Sequence, residues 1–223
     1  MSLRSDFTRI EVVRTQALEW QQSPSPTVWR KRLEHSGPVE AGRVTSVVRY
    51  DAQSRFKPHP HPRGEEILVL EGVFSDEHGD YPAGSYLLNP EGFKHAPFSR
   101  EGCVILVKLR QYAGEGRKKV ALDTGSETWS ATAHNGARRL PLHVDPRFPD
   151  RMELLRLDAD VRLDEQHYPG GAEMFIVEGD LLDEHGSYGK GDWVRYPPGT
   201  VHTARSRGGA LVYLKTGHLS GLL

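Results

Sequence analysis

The sequence predicts an all-β chain built from two copies of one small domain. Three observations carry that expectation: an internal repeat, short runs of β-branched residues broken by Gly and Pro, and no sustained helical period. When Glu71 is laid on Glu178, EGVFSDEHGDYPAGSYLLNPEGFKHAPFSREGCVILVKL falls on EGDLLDEHGSYGKGDWVRYPPGTVHTARSRGGALVYLKT, and 15 of the 39 aligned positions are identical without a gap. The register extends upstream, where Leu33 meets Leu140, Arg49 meets Arg156, and Asp51-Ala52 meets Asp158-Ala159. The offset from Glu71 to Glu178 is the size of a small domain and far exceeds a solenoid unit. Two domains are therefore expected: residues 1–115, an N-terminal arm and the first barrel, and residues 116–223, a linker and the second. The join is expected within residues 112–130, where Gly, Lys, Ser and Thr gather without apolar periodicity.

Taken in order along the first copy, residues 44–50 (VTSVVRY), 67–70 (ILVL) and 104–109 (VILVKL) read as strands, since each is short and rich in β-branched residues. Glu71-Gly72, His78-Gly79, Pro82-Ala83-Gly84 and Pro90-Glu91-Gly92 mark the turns between them. Many short strands at this spacing suggest a sandwich or a barrel. Only residues 15–21 could form a turn of helix.

Composition excludes several partner classes. A formal net charge of −1, with basic clusters of three residues or fewer, gives no reason to expect nucleic acid or anionic lipid as a partner. The best apolar run, residues 67–70, is strand-sized and falls far short of the ~18 residues of a membrane span. Residues 1–6 lead into mixed polar sequence unlike a signal peptide, and a cytoplasmic protein is expected. A single cysteine, Cys103, excludes an intrachain disulfide and a thiolate-rich zinc site, and its expected role is that of a small buried hydrophobe.

The chemistry is concentrated in HPHPRGEEILVLEG, from His59 to Gly72. Histidines at i and i+2 of an extended segment point to the same side, about 7 Å apart by strand rise, and can converge on one ion. Pro58, Pro60 and Pro62 alternate with them and remove three N–H groups, so this segment must lie at an edge or rim. Glu65 follows across a short turn, and GSYLLNPEGFKH brings in His95 behind a Pro-x-Gly turn. Three imidazoles and a carboxylate suit zinc, iron(II), manganese, nickel or copper(II), and suit calcium or magnesium poorly. Glu66, next to Glu65, should face the other way and form an ion pair or subunit contact. His78 and His185 recur in the same Asp-Glu-His-Gly turn and are expected to serve that turn.

These residues resemble both signature motifs of the cupin superfamily, His-x-His-x3-Glu-x6-Gly and Gly-x5-Pro-x-Gly-x2-His. The surrounding sequence is similar to the C-terminal cupin domain of ChrR-type anti-sigma factors. The resemblance covers both repeats and implies two tandem cupin (jelly-roll-like) β-barrels, often dimeric. It further implies one divalent metal ion, zinc first and iron(II), manganese or nickel as alternatives, held by His59, His61, Glu65 and His95. ChrR-type proteins grip their sigma factor through an N-terminal zinc module. Here the only cysteine is Cys103 and only a short segment precedes Trp20, so direct sigma-factor binding is not expected.

In the second copy the ligand positions become Gln166, Tyr168 and Ala172, and only His202 is kept. His167 and Glu173 are each displaced by one residue, which in a strand turns a side chain to the opposite face. A second pocket without metal is expected. Function is expected to be regulatory or stress-sensing, with a small-molecule ligand. The alternative is a cupin-type non-heme dioxygenase acting on a small diketone or hydroxyketone. No catalytic acid, base or nucleophile is identifiable from spacing.

Overall fold

The computed structural model describes residues 2–222, and these are strands and turns with one short 3-10 turn, Thr15–Ala17. Among the described residues no helix is long and apolar enough to cross a membrane. The chain divides into two compact units: residues 1–5 with 18–127, and residues 6–17 with 128–223.

In the first unit the principal strands are β1 (Val28–Ser36), β2 (Arg43–Tyr50), β3 (His59–Pro60), β4 (Glu65–Asp76), β5 (Ser85–Asn89), β6 (Lys94–His95) and β7 (Cys103–Leu109). The main antiparallel sheet runs Val120–Asp123, β5, β4, β7, β2, β1, Gln21–Gln22. Its second half pairs Gly79–Pro82 and Phe98–Ser99 with the far end of β4. The long strand β4 thus belongs to both layers of the barrel and must bend between them. The bend is a bulge: Val104 faces Glu71 while Ile105 faces Val69, leaving Leu70 unpaired. Gly72 sits beside it at φ +70°, where a Cβ would lie 2.2 Å from the carbonyl oxygen of Gly102. Only glycine fits that approach, and Gly179 meets Gly209 in the same way in the second unit.

Between the layers lies a core of Val48, Ile67, Val69, Leu87, Ile105 and Val107, with Tyr50, Phe74 and Cys103. These are alternate residues of neighbouring strands, as a half-buried β pattern requires. Cys103 is buried, and burial pushes its thiol up to about 11, so it packs as a hydrophobe.

The second unit repeats the plan with β8 (Ala137–Val144), β9 (Arg151–Leu157), β10 (Gln166–Tyr168), β11 (Ala172–Asp183), β12 (Asp192–Tyr196), β13 (Thr200–His202) and β14 (Ala210–Thr216). Its sheet runs Glu11–Arg14, β12, β11, β14, β9, β8, Ser130–Ala131. Residues 6–17 of the N-terminal arm therefore differ from the expectation that grouped the arm with the first barrel, while Leu3 keeps to it by pairing with His35. Val12 and Val13 pair with Val194 and Trp193, and Thr15 Oγ1 donates to the Gly191 carbonyl at 2.5 Å. Arg195 completes the attachment by donating to the Asp6 carbonyl at 2.8 Å beneath the Phe7 ring. Residues 116–127 likewise do more than link, since Val120–Asp123 forms an edge strand of the first barrel against β5. A bare edge would expose unpaired backbone groups, and in each unit a segment from outside its own repeat covers it.

Candidate metal centre

The ligand histidines are placed by two short ribbons and one tight turn. In β3 and β6, His59 stands directly opposite His95 and Pro60 opposite Lys94. Among the described residues β3 pairs with no other strand, as its prolines require. His61 is fixed through its backbone, its N–H donating to the Phe93 carbonyl at 2.8 Å and its carbonyl accepting from Gly64 and Gly92, each at 3.0 Å. Gly64, at φ +76°, lies where a Cβ would come within 2.9 Å of the Asn89 carbonyl and of Tyr112. That turn delivers Glu65 as the first residue of β4.

The donor atoms of His59, His61 and His95 lie within 4.8 Å of one another, a cluster able to hold a metal ion. His61 Nε2 is 2.9 Å from His95 Nε2. Glu65 Oε2 is 3.5 Å from the first and 3.4 Å from the second. His95 is fully buried, His61 and Glu65 nearly so, and His59 is half-buried at the rim. All four predicted residues are thus brought together.

The groups behind them aim the donors inward. His95 Nδ1 donates to Asp76 Oδ2 at 3.0 Å, and the Nδ1 of His59 lies 2.9 Å from the Lys57 carbonyl. With Nδ1 occupied in each ring, the Nε2 lone pair is left for the centre. Asn89 Nδ2 donates to Glu65 Oε2 at 3.0 Å and fixes that carboxylate. Burial holds the His61 imidazole below its ordinary pKa, which keeps it neutral as a ligand must be. Burial acts on His95 in the same direction, but the hydrogen bond to Asp76 and the charge of Glu65 outweigh it and raise its pKa. This donor set fits a divalent transition metal on chemistry as well as on spacing.

The centre opens on a cavity of about 220 Å³ inside the first barrel, and His59, His61 and Glu65 form part of its wall. Val48, Ile105 and Val107 line its apolar side, Tyr50 and Phe56 flank it, and Arg30, Arg32 and Arg110 also line it.

Both halves of the chain match one family description, the ChrR cupin-like domain, over residues 8–113 and again over 117–220. The chain belongs to the ChrR cupin-like family. Among curated proteins there is no sequence match. This ChrR cupin-like chain shares its fold with several solved structures. One is a provisionally assigned dioxygenase from Nostoc punctiforme, at 15% identity and TM-score 0.78, covering 93% of this chain and 82% of that one. The Escherichia coli protein YlbA is similar at 16% identity and TM-score 0.74, covering 96% and 93%. The Escherichia coli pirin YhhW, solved with nickel(II), is similar at 13% identity and TM-score 0.66, covering 93% and 98%.

The second cupin barrel keeps the frame of the centre and replaces its contents. Gln166 stands opposite His202 as His59 stands opposite His95. His202 Nδ1 donates to Asp183 Oδ2 at 3.0 Å, but its Nε2 lies 3.3 Å from the Tyr168 hydroxyl. Tyr196 replaces Asn89, which has no Glu65 to hold here, and donates to Asp183 at 2.5 Å. Tyr188 adds a third bond to the same carboxylate at 2.9 Å. One imidazole and a set of phenols occupy the space that three imidazoles and a carboxylate take in the first barrel. Burial and the nearby Glu153 and Asp183 charges raise the pKa of Tyr168, so it stays a neutral hydroxyl. Of the shifted residues, Glu173 points away as expected: it accepts from the Trp193 indole at 3.2 Å and pairs with His218 at 2.8 Å. Its first-barrel counterpart Glu66 is buried and accepts from Tyr86 at 2.9 Å.

Sequence reasoning missed Asp76 and Asn89. A signal for Asp76 was present, because the Asp-Glu-His-Gly turn recurs intact in both repeats. Its histidines contribute chiefly backbone: the N–H groups of His78 and His185 donate to Asp76 and Asp183, each at 2.8 Å. The recurring aspartates cap the turn with one oxygen and hold the site histidine with the other.

Proposed function

We propose that this chain is a metal-dependent cupin that holds one divalent transition-metal ion at His59, His61, Glu65 and His95 and acts on a small organic molecule in the first barrel. The observation that carries this reading is the position of the ligand cluster in the wall of a largely apolar cavity. A purely structural ion needs no such space, whereas a ligand site does. The Nε2 atoms of His61 and His95 lie 2.9 Å apart and Glu65 Oε2 lies 3.5 and 3.4 Å from them, so these residues with His59 would hold a transition-metal ion at this wall. When bound, such an ion supplies Lewis-acid or redox chemistry to a ligand beside it.

The chain's own residues then divide the work. Asp76 and Asn89 fix His95 and Glu65, the aliphatic wall excludes water, and Tyr50, whose pKa burial raises further, offers a neutral hydroxyl. The reaction class this favours is oxygenation of a small diketone or hydroxyketone, with iron(II) as the working ion. Oxygen uptake by iron-loaded protein with pentane-2,4-dione and related ketones tests it. Uptake abolished by His95→Ala supports the oxygenase; no uptake across the panel overturns it.

A regulatory role is the second reading, favoured by the ChrR description that matches both repeats. Zinc would then be the resident ion. Its mark would be ligand or peroxide binding that displaces metal or alters self-association without turnover.

A further inference from the structure

We infer that the first barrel takes a small organic anion, whose carboxylate is bound by Arg30 and Arg32 while its other end faces the histidine cluster. This rests on the reading of the cluster and its cavity as the ligand site, and it names the class of ligand.

Arg30 and Arg32 are two apart on β1 and therefore share a face; both line the cavity. Between them lies a carboxylate already. Glu40 Oε2 accepts from Arg30 Nη1 at 3.1 Å, and Glu40 Oε1 accepts from Arg32 Nη2 at 3.1 Å. One carboxylate thus spans two guanidiniums, one oxygen to each, so their spacing is that of a carboxylate receptor. Glu40 belongs to the loop joining β1 to β2, stands at φ +50°, and leaves its side chain 53% exposed. An ion pair that open to water is weak and can be exchanged for a ligand carboxylate whose carbon body also enters the cavity.

The charge around the cavity favours that exchange. Three guanidiniums line it against two carboxylates, Glu40 and Glu65, and Glu65 is committed to the histidine cluster. Arg110 spends its donors on uncharged groups, the carbonyls of Glu40 at 3.1 Å and Gly42 at 3.4 Å, which also hold the loop in place. The cavity is therefore cationic at one part of its wall, metal-binding at another and apolar between. A small keto or hydroxy acid matches all three regions.

The test compares 2,4-dioxopentanoate with its neutral counterpart pentane-2,4-dione by calorimetric titration of the full chain. Titrations are made with zinc-loaded protein and with the His59→Ala/His61→Ala variant. The acid should bind about tenfold more tightly than the diketone in both, since charge-assisted hydrogen bonds do not need the ion. Arg30→Gln/Arg32→Gln should remove that preference. Exposed Glu40→Ala, which leaves the arginines in place, should tighten the acid about threefold and leave the diketone unchanged. Equal binding of the two probes, binding of neither, or a preference that survives in the arginine variant overturns the inference. Zinc retained by the His59→Ala/His61→Ala variant, with the preference intact, would instead overturn the metal reading alone.

Discussion

Asp76 Oδ2 lies 3.0 Å from His95 Nδ1, and one repeat later Asp183 Oδ2 stands at the same 3.0 Å from His202 Nδ1. The relationship survives where the rest of the ligand set does not. It therefore belongs to the frame of the barrel, and in the first barrel that frame fixes the ring of a buried histidine of the candidate metal centre. Groups behind metal-bound histidines typically influence affinity by ~10–100-fold.

Asp76→Asn should accordingly weaken zinc binding by about 10–100-fold, measured by competition with a chromophoric chelator. Asp183→Asn should leave that affinity unchanged, because the second barrel offers a single imidazole at the equivalent place. Equal loss in both variants would mean that the effect is global destabilisation.

In metal-free protein His95 should contribute more stability in mild acid than in mild base, against an opposite contribution from His61, whose pKa burial lowers. His95 has its pKa raised in the fold: burial opposes the charge, but Asp76 and Glu65 more than offset it. The stability its protonation adds is fully present below the ordinary histidine value of about 6.5 and is lost as pH rises through the raised value. Metal-bound protein should show the opposite trend, because protons compete with the ion for His95 as pH falls. Melting of chelator-treated His61→Ala protein, in which the opposing group is gone, and of zinc-loaded native protein at pH values of about 6 and about 8 checks both signs.

The second barrel should carry an acid-sensitive anchor of its own. Burial alone would raise the Asp183 pKa, but bonds from His202, Tyr196, Tyr188 and the His185 N–H lower it from 3.8 to about 2. A depressed carboxylate contributes stability above its unfolded value that is lost as pH falls through the folded one, here between about 4 and about 2. Hydrogen exchange of β11 should speed up across that window in the native sequence. In Asp183→Asn it should be faster already at neutral pH and nearly flat with acid.

The repeat, the strand class and the four convergent residues were legible because each is local or periodic. His59, His61 and Glu65 occupy one turn and its flanking strands, and His95 ends a motif with its own turn signals. The edge strands were not legible. Val12 and Val13 lie near one end of the chain and their partners, Val194 and Trp193, toward the other, and no local pattern reports a pairing that distant. The guanidiniums of the cavity escaped for a different reason. Arg30-Lys31-Arg32 reads as a solvated charge cluster, and alternation turns Arg30 and Arg32 toward the cavity while Lys31 covers the Trp20 ring. Asp76 was visible as part of a recurring turn, but its second oxygen reaches a residue 19 positions away, and only the fold shows that.

The two barrels share a frame, and the proposed metal site lies in the first alone. Elemental analysis combined with native mass spectrometry of protein purified without added metal tests it most directly. One transition-metal ion per chain is expected, lost in His59→Ala/His61→Ala and retained in His202→Ala. Two ions per chain, or one ion retained after His59 and His61 are both removed, would contradict it.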